Sequence, residues 1–599
     1  KSLFLKKSFG NKYNKRLLCV FQTMYAQTTC FPQGNVHSLQ STLNKQRMTG
    51  LGHPSAMTST LKSSGGAGRR LDQRPFQPHI TRAAAPPAQG EPSVSTSSRG
   101  NPVSTITQEA RRSLFSKAVD REEEEAVEVR GQIPEWLNGS LVTNGGGNYD
   151  GMLHLFDGLA MLTKIRVSNG RVFASQKYVD TEQYRHVQQT GRRKFGEFGT
   201  PLPASNPLEQ AMNIVKTVTG LVTHSSVIDN SSVNVIPLPD GKMFTSTETI
   251  ASLYKIDPSN LATLEQVKLR GDDIPGDLTT AHPKLLRDGR TFVNFSRSIP
   301  AGGFHVFKQD ARTMECKEIA FIRDQDPTAP AWVHDMGYSG NHIVICETPL
   351  FFNLNALVTG EKREYIFMDW KPQLGSRIHL VPLDGSAHKT FKTAPFFVFH
   401  IANGFEEDGQ VHVDLGYYDN PQGVNDLTLA AMKEFPGKEY AKSYLSRLSI
   451  PLSAPTGSSI PPPRPLSSQP EQYGELCDFT VVNSQLRGRK HRYVYALAGV
   501  RPTNFGNALA KHDTLTGQAQ MWHEPGGTTG ECVFVPRPGA QAEDDGVVLV
   551  QHMGADGRSS LVVIDAQSWQ ELGRARLPYG LPYRFHGAFM PEKQSDEHS

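Results

Sequence analysis

The pattern of apolar and polar positions changes near Arg111. Downstream of it, short runs of alternating apolar residues recur between tight polar turns, the period of half-buried strands. Asp-Gly pairs stand at Asp240-Gly241, Asp288-Gly289, Asp384-Gly385, Asp408-Gly409, Asp545-Gly546 and Asp556-Gly557. Several lie between alternating runs, the strongest short-range signal for a hairpin. A second motif repeats: a strand-like run ends in Asp and a polar turn follows, at Asp257, Asp310, Asp513 and Asp565. The first two are 53 positions apart and the last two 52. A repeat near 50 is what a four-stranded propeller blade requires. A β-sandwich or a pair of β domains would share the same hairpins. The pattern predicts an all-β fold, and the ordered length holds about seven blades.

Other segments break the pattern. Ser113 to Glu125 reads as a short charged helix. Residues 206–222 carry apolar positions near helical spacing, and 348–358 form another apolar stretch. Both pack over a propeller rim or dip into a membrane leaflet. Ser453 to Gln472, with Pro461-Pro-Pro-Arg-Pro465, reads as a mobile surface loop.

Charge divides the chain. Residues 1–100 hold 14 Lys/Arg and only Asp72 and Glu91 as acids, and they are rich in Ser, Thr, Gly and Pro. Such a segment cannot bury enough apolar surface to fold, and its composition fits a disordered organellar transit peptide or tail. The remainder carries 49 basic and 57 acidic residues. An acidic body without a basic run argues against nucleic-acid binding. No apolar run is long enough to span a bilayer as a helix. The six cysteines are scattered without a Cys-x-x-Cys pair, giving neither a zinc motif nor a disulfide framework.

The candidate chemistry lies in histidines. His586 sits in the Pro/Gly-punctuated stretch 577–587, beside Gly587, which allows close backbone approach. His282 (Thr-Ala-His-Pro), His334 (Trp-Val-His-Asp) and His400 (Phe-Phe-Val-Phe-His) each adjoin a strand-like run. Strict alternation puts His400, Val398 and Phe396 on one face. One inward histidine from each of four blades could meet at a propeller axis, although the separations are 52, 66 and 186 residues. Spacing alone does not nominate these four.

Resemblance does. The four motifs, with Asn403, Glu406 and Glu407 after His400, resemble the iron-ligand motifs of the carotenoid cleavage dioxygenases. Pro134-x-Trp136-Leu137-Asn138-Gly139 and His154-Leu-Phe-Asp157-Gly158 resemble that family too. The resemblance runs from about residue 120 to 592. It implies a seven-bladed β-propeller with a small helical cap, spanning 111–592, behind a disordered N-terminal extension (1–100). It implies one Fe(II) per chain on His282, His334, His400 and His586. Glu248, Asp478 and Glu531 would orient the rings through the other ring N–H. Asp478 replaces a usual Glu and would need a shifted backbone or a water. The expected reaction is cleavage of a polyene double bond by O2. The substrate would enter an apolar tunnel from a plastid membrane surface, with no obligate protein partner and a chloroplast location.

Runs such as Gly488–Tyr495, Arg501–Leu509 and Leu577–Tyr583 resemble the carlactone-forming branch of strigolactone biosynthesis, which acts on a cis-apocarotenal. A general carotenoid or apocarotenoid cleaver, a non-oxidative isomerohydrolase and a carotenoid-binding propeller without activity are the alternatives.

Overall fold

The computed structural model describes residues 105–592, apart from 224–227, 272–273, 275, 277, 300 and 435–437. The expectation for residues 1–100 lies outside the described residues. The body is mostly strand, in a propeller-like arrangement of sheets that are antiparallel but for the pairing of Arg270–Gly271 with Glu315–Arg323. Four sheets have four strands each, one has six, and one has nine. The nine-stranded sheet is joined by Arg121–Gly131, whose first half pairs with Arg171–Tyr178 and whose second half pairs with Glu571–Arg576. Its first residues, 121–125, fall within the stretch 113–125 that was expected to be helical. The helix is instead Gln108–Leu114, and the glutamates that follow lie in a strand. Cross-strand cations override their helix preference: Glu122 pairs with Lys177 at 2.6 Å, and Glu124 with Lys164 and Arg166 at 2.8 and 2.6 Å.

The repeated Asp motif has a local cause. Tyr254–Asp257, Gly303–Asp310, Ala508–Asp513 and Ser559–Asp565 all end on the aspartate. Each carboxylate then accepts backbone N–H groups of the following turn, such as Ser259 at 3.0 Å, Thr313 at 2.8 Å and Ser568 at 2.8 Å. The Asp408-Gly409 pair joins Phe397–Glu407 to Gln410–Tyr418 with φ of 50° and 71°, the two positive values that a type I′ hairpin turn requires. Gly546 differs from the other Asp-Gly glycines and begins the strand Gly546–Met553. The segment after Ser453 is tied down, with Ile460 buried and its N–H on the Lys392 carbonyl at 2.8 Å.

Apolar cores lie between neighbouring sheets. Val344, Ile378, Val411 and Leu448 fill one such gap, and Leu141, Ile165, Val547 and Leu561 another. The largest cluster lies elsewhere. Ala110, Ala356, Val424 and Met432 from four short helices pack there with Trp332, Phe397 and Phe399. Residues 207–223 form the helix Pro207–Thr223. The last described strand, Arg584–Pro591, pairs with Gly139–Gly146, so it is stitched to an early strand of the described body and His586 is carried inward.

Candidate metal centre

The histidines arrive on four different segments. His282 follows Leu278–Thr279, His334 precedes Met336–Tyr338, His400 lies in Phe397–Glu407, and His586 lies in Arg584–Pro591. Asp335 ties three of these together. It accepts the N–H groups of Met336 and Ile401 at 2.7 and 2.8 Å and pairs with Lys284 at 2.7 Å. The Thr280 hydroxyl donates to the His334 carbonyl and accepts the N–H of His282 at 3.0 Å.

Simple alternation fails at His400. The strand pairing shifts register between Val398 and Ile401 and again before Asn403. Phe396, Val398 and Ile401 enter one inter-sheet core, a sequence of faces that only a bulge allows. His400 is thereby re-aimed, and it does not simply continue the Phe396–Val398 face. Gly587 is required by close approach. A Cβ there would lie 2.6 Å from Thr143 Cγ2 and 2.9 Å from the Val142 carbonyl.

All four rings are buried and converge. The His282 ring centre lies 4.9 Å from that of His334, 5.1 Å from His400 and 4.5 Å from His586. His400 is 4.9 Å from both His334 and His586. Nitrogens of His282, His400 and His586 lie within 4.8 Å of one another, so these three form a possible metal site. His334 stands outside that trio, but its Nε2 is 3.2 Å from Nε2 of His400.

Each of three rings meets one acid through Nδ1. His334 meets Glu248, His400 meets Asp478 at 2.7 Å, and His586 meets Glu531 at 2.9 Å. A carboxylate only accepts, so each Nδ1 donates and each neutral ring turns the Nε2 lone pair inward. The lone pairs of His334 and His400 then face each other, and a proton or a cation must sit between them. Nε2 of His282 is buried without any hydrogen-bond partner. A divalent metal shared by these nitrogens satisfies both conditions, and imidazoles are suitable donors for iron and its neighbours. Burial, then repulsion from the other imidazoles, holds His282 well below the usual histidine range. Burial also lowers His400. For His334 burial pulls down, but the charge and hydrogen bond of Glu248 outweigh it and the net direction is up.

Asp478 reaches His400 directly. The backbone makes up for its short side chain: Phe479 has φ of 47°, and the register shifts within Asp478–Val481. The contact is direct, so no bridging water is needed. The Asp478 carboxyl lies below its ordinary range. Burial acts against this, but His400, Tyr418 and the Phe479 N–H together outweigh it.

Two cavities meet at the imidazoles. One is walled by Phe156, Phe198, Phe352, Phe367, Phe399 and Phe505 and reaches His334, His400 and His586. The other is more polar and reaches His282, His400 and His586 beside Lys284, Asp335 and Arg487. Aromatic rings fix the imidazoles from the apolar side: Phe156 stacks on His334 with 10° between planes, and Phe479 lies 4.7 Å from His400. Sequence reasoning did not find Trp332 or Tyr418, whose donors hold Glu248 and Asp478. Nothing in their local pattern separates them from core aromatics.

A β-propeller with a buried imidazole cluster at the end of an aromatic cavity is thus the class defined by fold and site. The family profile described as retinal pigment epithelial membrane protein (RPE65) matches residues 116–591. The chain belongs to this family, that of the carotenoid cleavage dioxygenases, an oxygenase class of enzyme. It is 32% identical over 477 residues to carotenoid cleavage dioxygenase 8 homolog A, chloroplastic, of Oryza sativa subsp. japonica, covering 77% of this chain and 84% of the relative. It is 31% identical to the Arabidopsis thaliana carotenoid cleavage dioxygenase 8, chloroplastic, covering 78% and 83%. Among solved structures it is similar to cobalt-substituted Synechocystis ACO, with a TM-score of 0.68 and 26% identity, covering 82% of this chain and 100% of that one.

Proposed function

We propose that the protein is a non-haem Fe(II) dioxygenase that cleaves a carbon–carbon double bond of an apocarotenoid with O2. The observation that carries this reading is the imidazole cluster, with its inward lone pairs and carboxylate-held Nδ1 atoms, at the end of an aromatic cavity. His282, His334, His400 and His586 would hold the iron, and Glu248, Asp478 and Glu531 would orient three of them. When bound, ferrous iron supplies activation of O2 beside the polyene. The chain's own residues do the rest. The phenylalanine walls bind the flat polyene and exclude water, and the carboxylates keep the rings in one tautomer. The route needs no side-chain nucleophile or general base.

We assign the substrate to the cis-apocarotenals that yield carlactone. The two chloroplastic relatives at 32% and 31% identity support this. A general carotenoid cleaver is the second reading, favoured by the 29% identity to the mitochondrial carotenoid-cleaving dioxygenase of Homo sapiens. The test is incubation of purified iron-loaded protein with a panel of carotenoids and apocarotenals under 18O2, followed by mass spectrometry. Carlactone carrying label from a cis-apocarotenal is the expected result. Labelled products from intact carotenes alone would favour the second reading, and unlabelled products would overturn the dioxygenase assignment.

The remaining assignments belong to the same reading. Residues 1–100 are a plastid-targeting extension, and 111–592 form one seven-bladed propeller with a helical cap. Supporting seven is the division of the nine-stranded sheet at Arg121–Gly131 into two blades, beside the five other sheets of at least four strands. Contact with a plastid membrane rests on the helix Pro207–Thr223. Its Leu208, Met212 and Val215 share one face and are 72%, 50% and 63% exposed. Among the described residues no helix is long and apolar enough to cross a membrane.

A further inference from the structure

The three carboxylates at the centre differ in what holds their second oxygen. Oε2 of Glu248 accepts the Trp332 indole N–H at 2.8 Å, and Oε2 of Glu531 accepts the backbone N–H of Gly587 at 3.1 Å. Oδ2 of Asp478 accepts the Tyr418 hydroxyl at 2.5 Å. Indole and amide N–H groups only donate, so those two arms stop there. The third arm ends on a buried phenol, whose O–H donates to Asp478. Tyr418 ends the strand Gln410–Tyr418 and is wholly buried.

This arm also has the least slack. Aspartate is one methylene shorter than the two glutamates, and Asp478 Oδ1 serves both His400 at 2.7 Å and the Phe479 N–H at 2.9 Å. The left-handed backbone at Phe479 is held only by its surroundings. With Oδ1 so engaged, the orientation of the carboxylate depends on what grips Oδ2.

We propose that Tyr418 is a positioning residue: it locks Asp478 so that Oδ1 stays on His400. This rests on the reading of the imidazoles as metal ligands. Tyr418→Phe tests it, because the ring and its contacts with Phe397 and Phe399 at 6.0 and 5.7 Å remain and only the hydroxyl is lost.

The probe is cobalt(II) added to metal-free protein, read by its visible absorption bands and by competition with a chelator. Wild-type protein binds one cobalt. Tyr418→Phe binds it roughly tenfold or more weakly, with shifted bands, and the iron enzyme loses kcat with little change in KM. The double variant Tyr418→Phe/Asp478→Glu regains affinity, because the longer carboxylate no longer needs the tyrosine. Wild-type affinity and bands in Tyr418→Phe, with only a lower Tm, would overturn the proposal. Wild-type protein that binds no cobalt would instead overturn the metal reading beneath it.

Discussion

Nε2 of His334 lies 3.2 Å from Nε2 of His400, while Nδ1 of each ring is held by its own carboxylate, Glu248 and Asp478. Two neutral rings fixed this way point lone pairs at each other, which is costly in a buried site unless a cation lies between them. The carboxylates therefore do more than hold position. They decide which nitrogen of each ring faces the centre.

Removing the charge of Glu248 while keeping its shape isolates this effect. Glu248→Gln can present its amide N–H₂ to His334 and favour the other tautomer. The expected outcome is metal affinity lower by roughly 10- to 100-fold, with a folded protein of unchanged far-ultraviolet circular dichroism. Chelator competition measures it.

Gly587 is where the C-terminal strand passes closest to Gly139–Gly146. In Gly587→Ala the new methyl would meet Thr143 Cγ2 at 2.6 Å and the Val142 carbonyl at 2.9 Å. The strand must move, and His586 moves with it. The predicted cost is about 1–3 kcal/mol in urea unfolding, together with loss of activity greater than the stability change explains.

Asp335 binds three histidine-bearing segments from a buried position. Asp335→Ala leaves the Ile401 and Met336 N–H groups and the Lys284 ammonium without their acceptor. Destabilisation of about 3–5 kcal/mol is expected from the broken buried pair, read as a lower urea midpoint with an unchanged m-value.

Two histidines away from the centre set a pH dependence of stability. Burial pushes His154 and His512 down to about 4. Their unfolded forms titrate near 6.5, so between those values the unfolded state binds more protons than the folded one. Stability is full above pH 6.5 and falls as pH drops towards 4, by at most about 3 kcal/mol for each histidine. His512 packs against Tyr473 at 4.7 Å and has an unpartnered Nε2. His512→Gln removes its share, so urea midpoints taken from pH 7 to pH 4.5 should decline less steeply than in wild type.

Much of this architecture was legible along the chain. The aspartates at 257, 310, 513 and 565 mark strand ends because each carboxylate caps its own turn, a local interaction that leaves a local signature. The Asp408-Gly409 hairpin is local in the same way. The strand at Arg121–Gly131 was misread because its glutamates are neutralised by Lys164, Arg166 and Lys177, which lie far along the sequence. The site divides along the same line. The four histidines were singled out by their surrounding motifs; their rings come together across strands far apart in the chain, which no window of sequence contains. The bulge before His400 and the grip of Tyr418 on Asp478 depend on partner strands, so neither leaves a mark in its own segment.

The exposed face of Pro207–Thr223 has a direct check. Met212→Glu together with Val215→Glu places charge on that face without touching the histidines. Sedimentation with galactolipid vesicles should fall severalfold, while turnover of detergent-dispersed apocarotenal stays at the wild-type level.

Iron K-edge X-ray absorption of the purified protein bears most directly on the centre. One iron per chain, with the multiple scattering of several imidazoles and no sulfur neighbour, is predicted, and His400→Ala should reduce that scattering or lose the metal. Protein that takes up no iron, or holds it without imidazole scattering, would contradict the account.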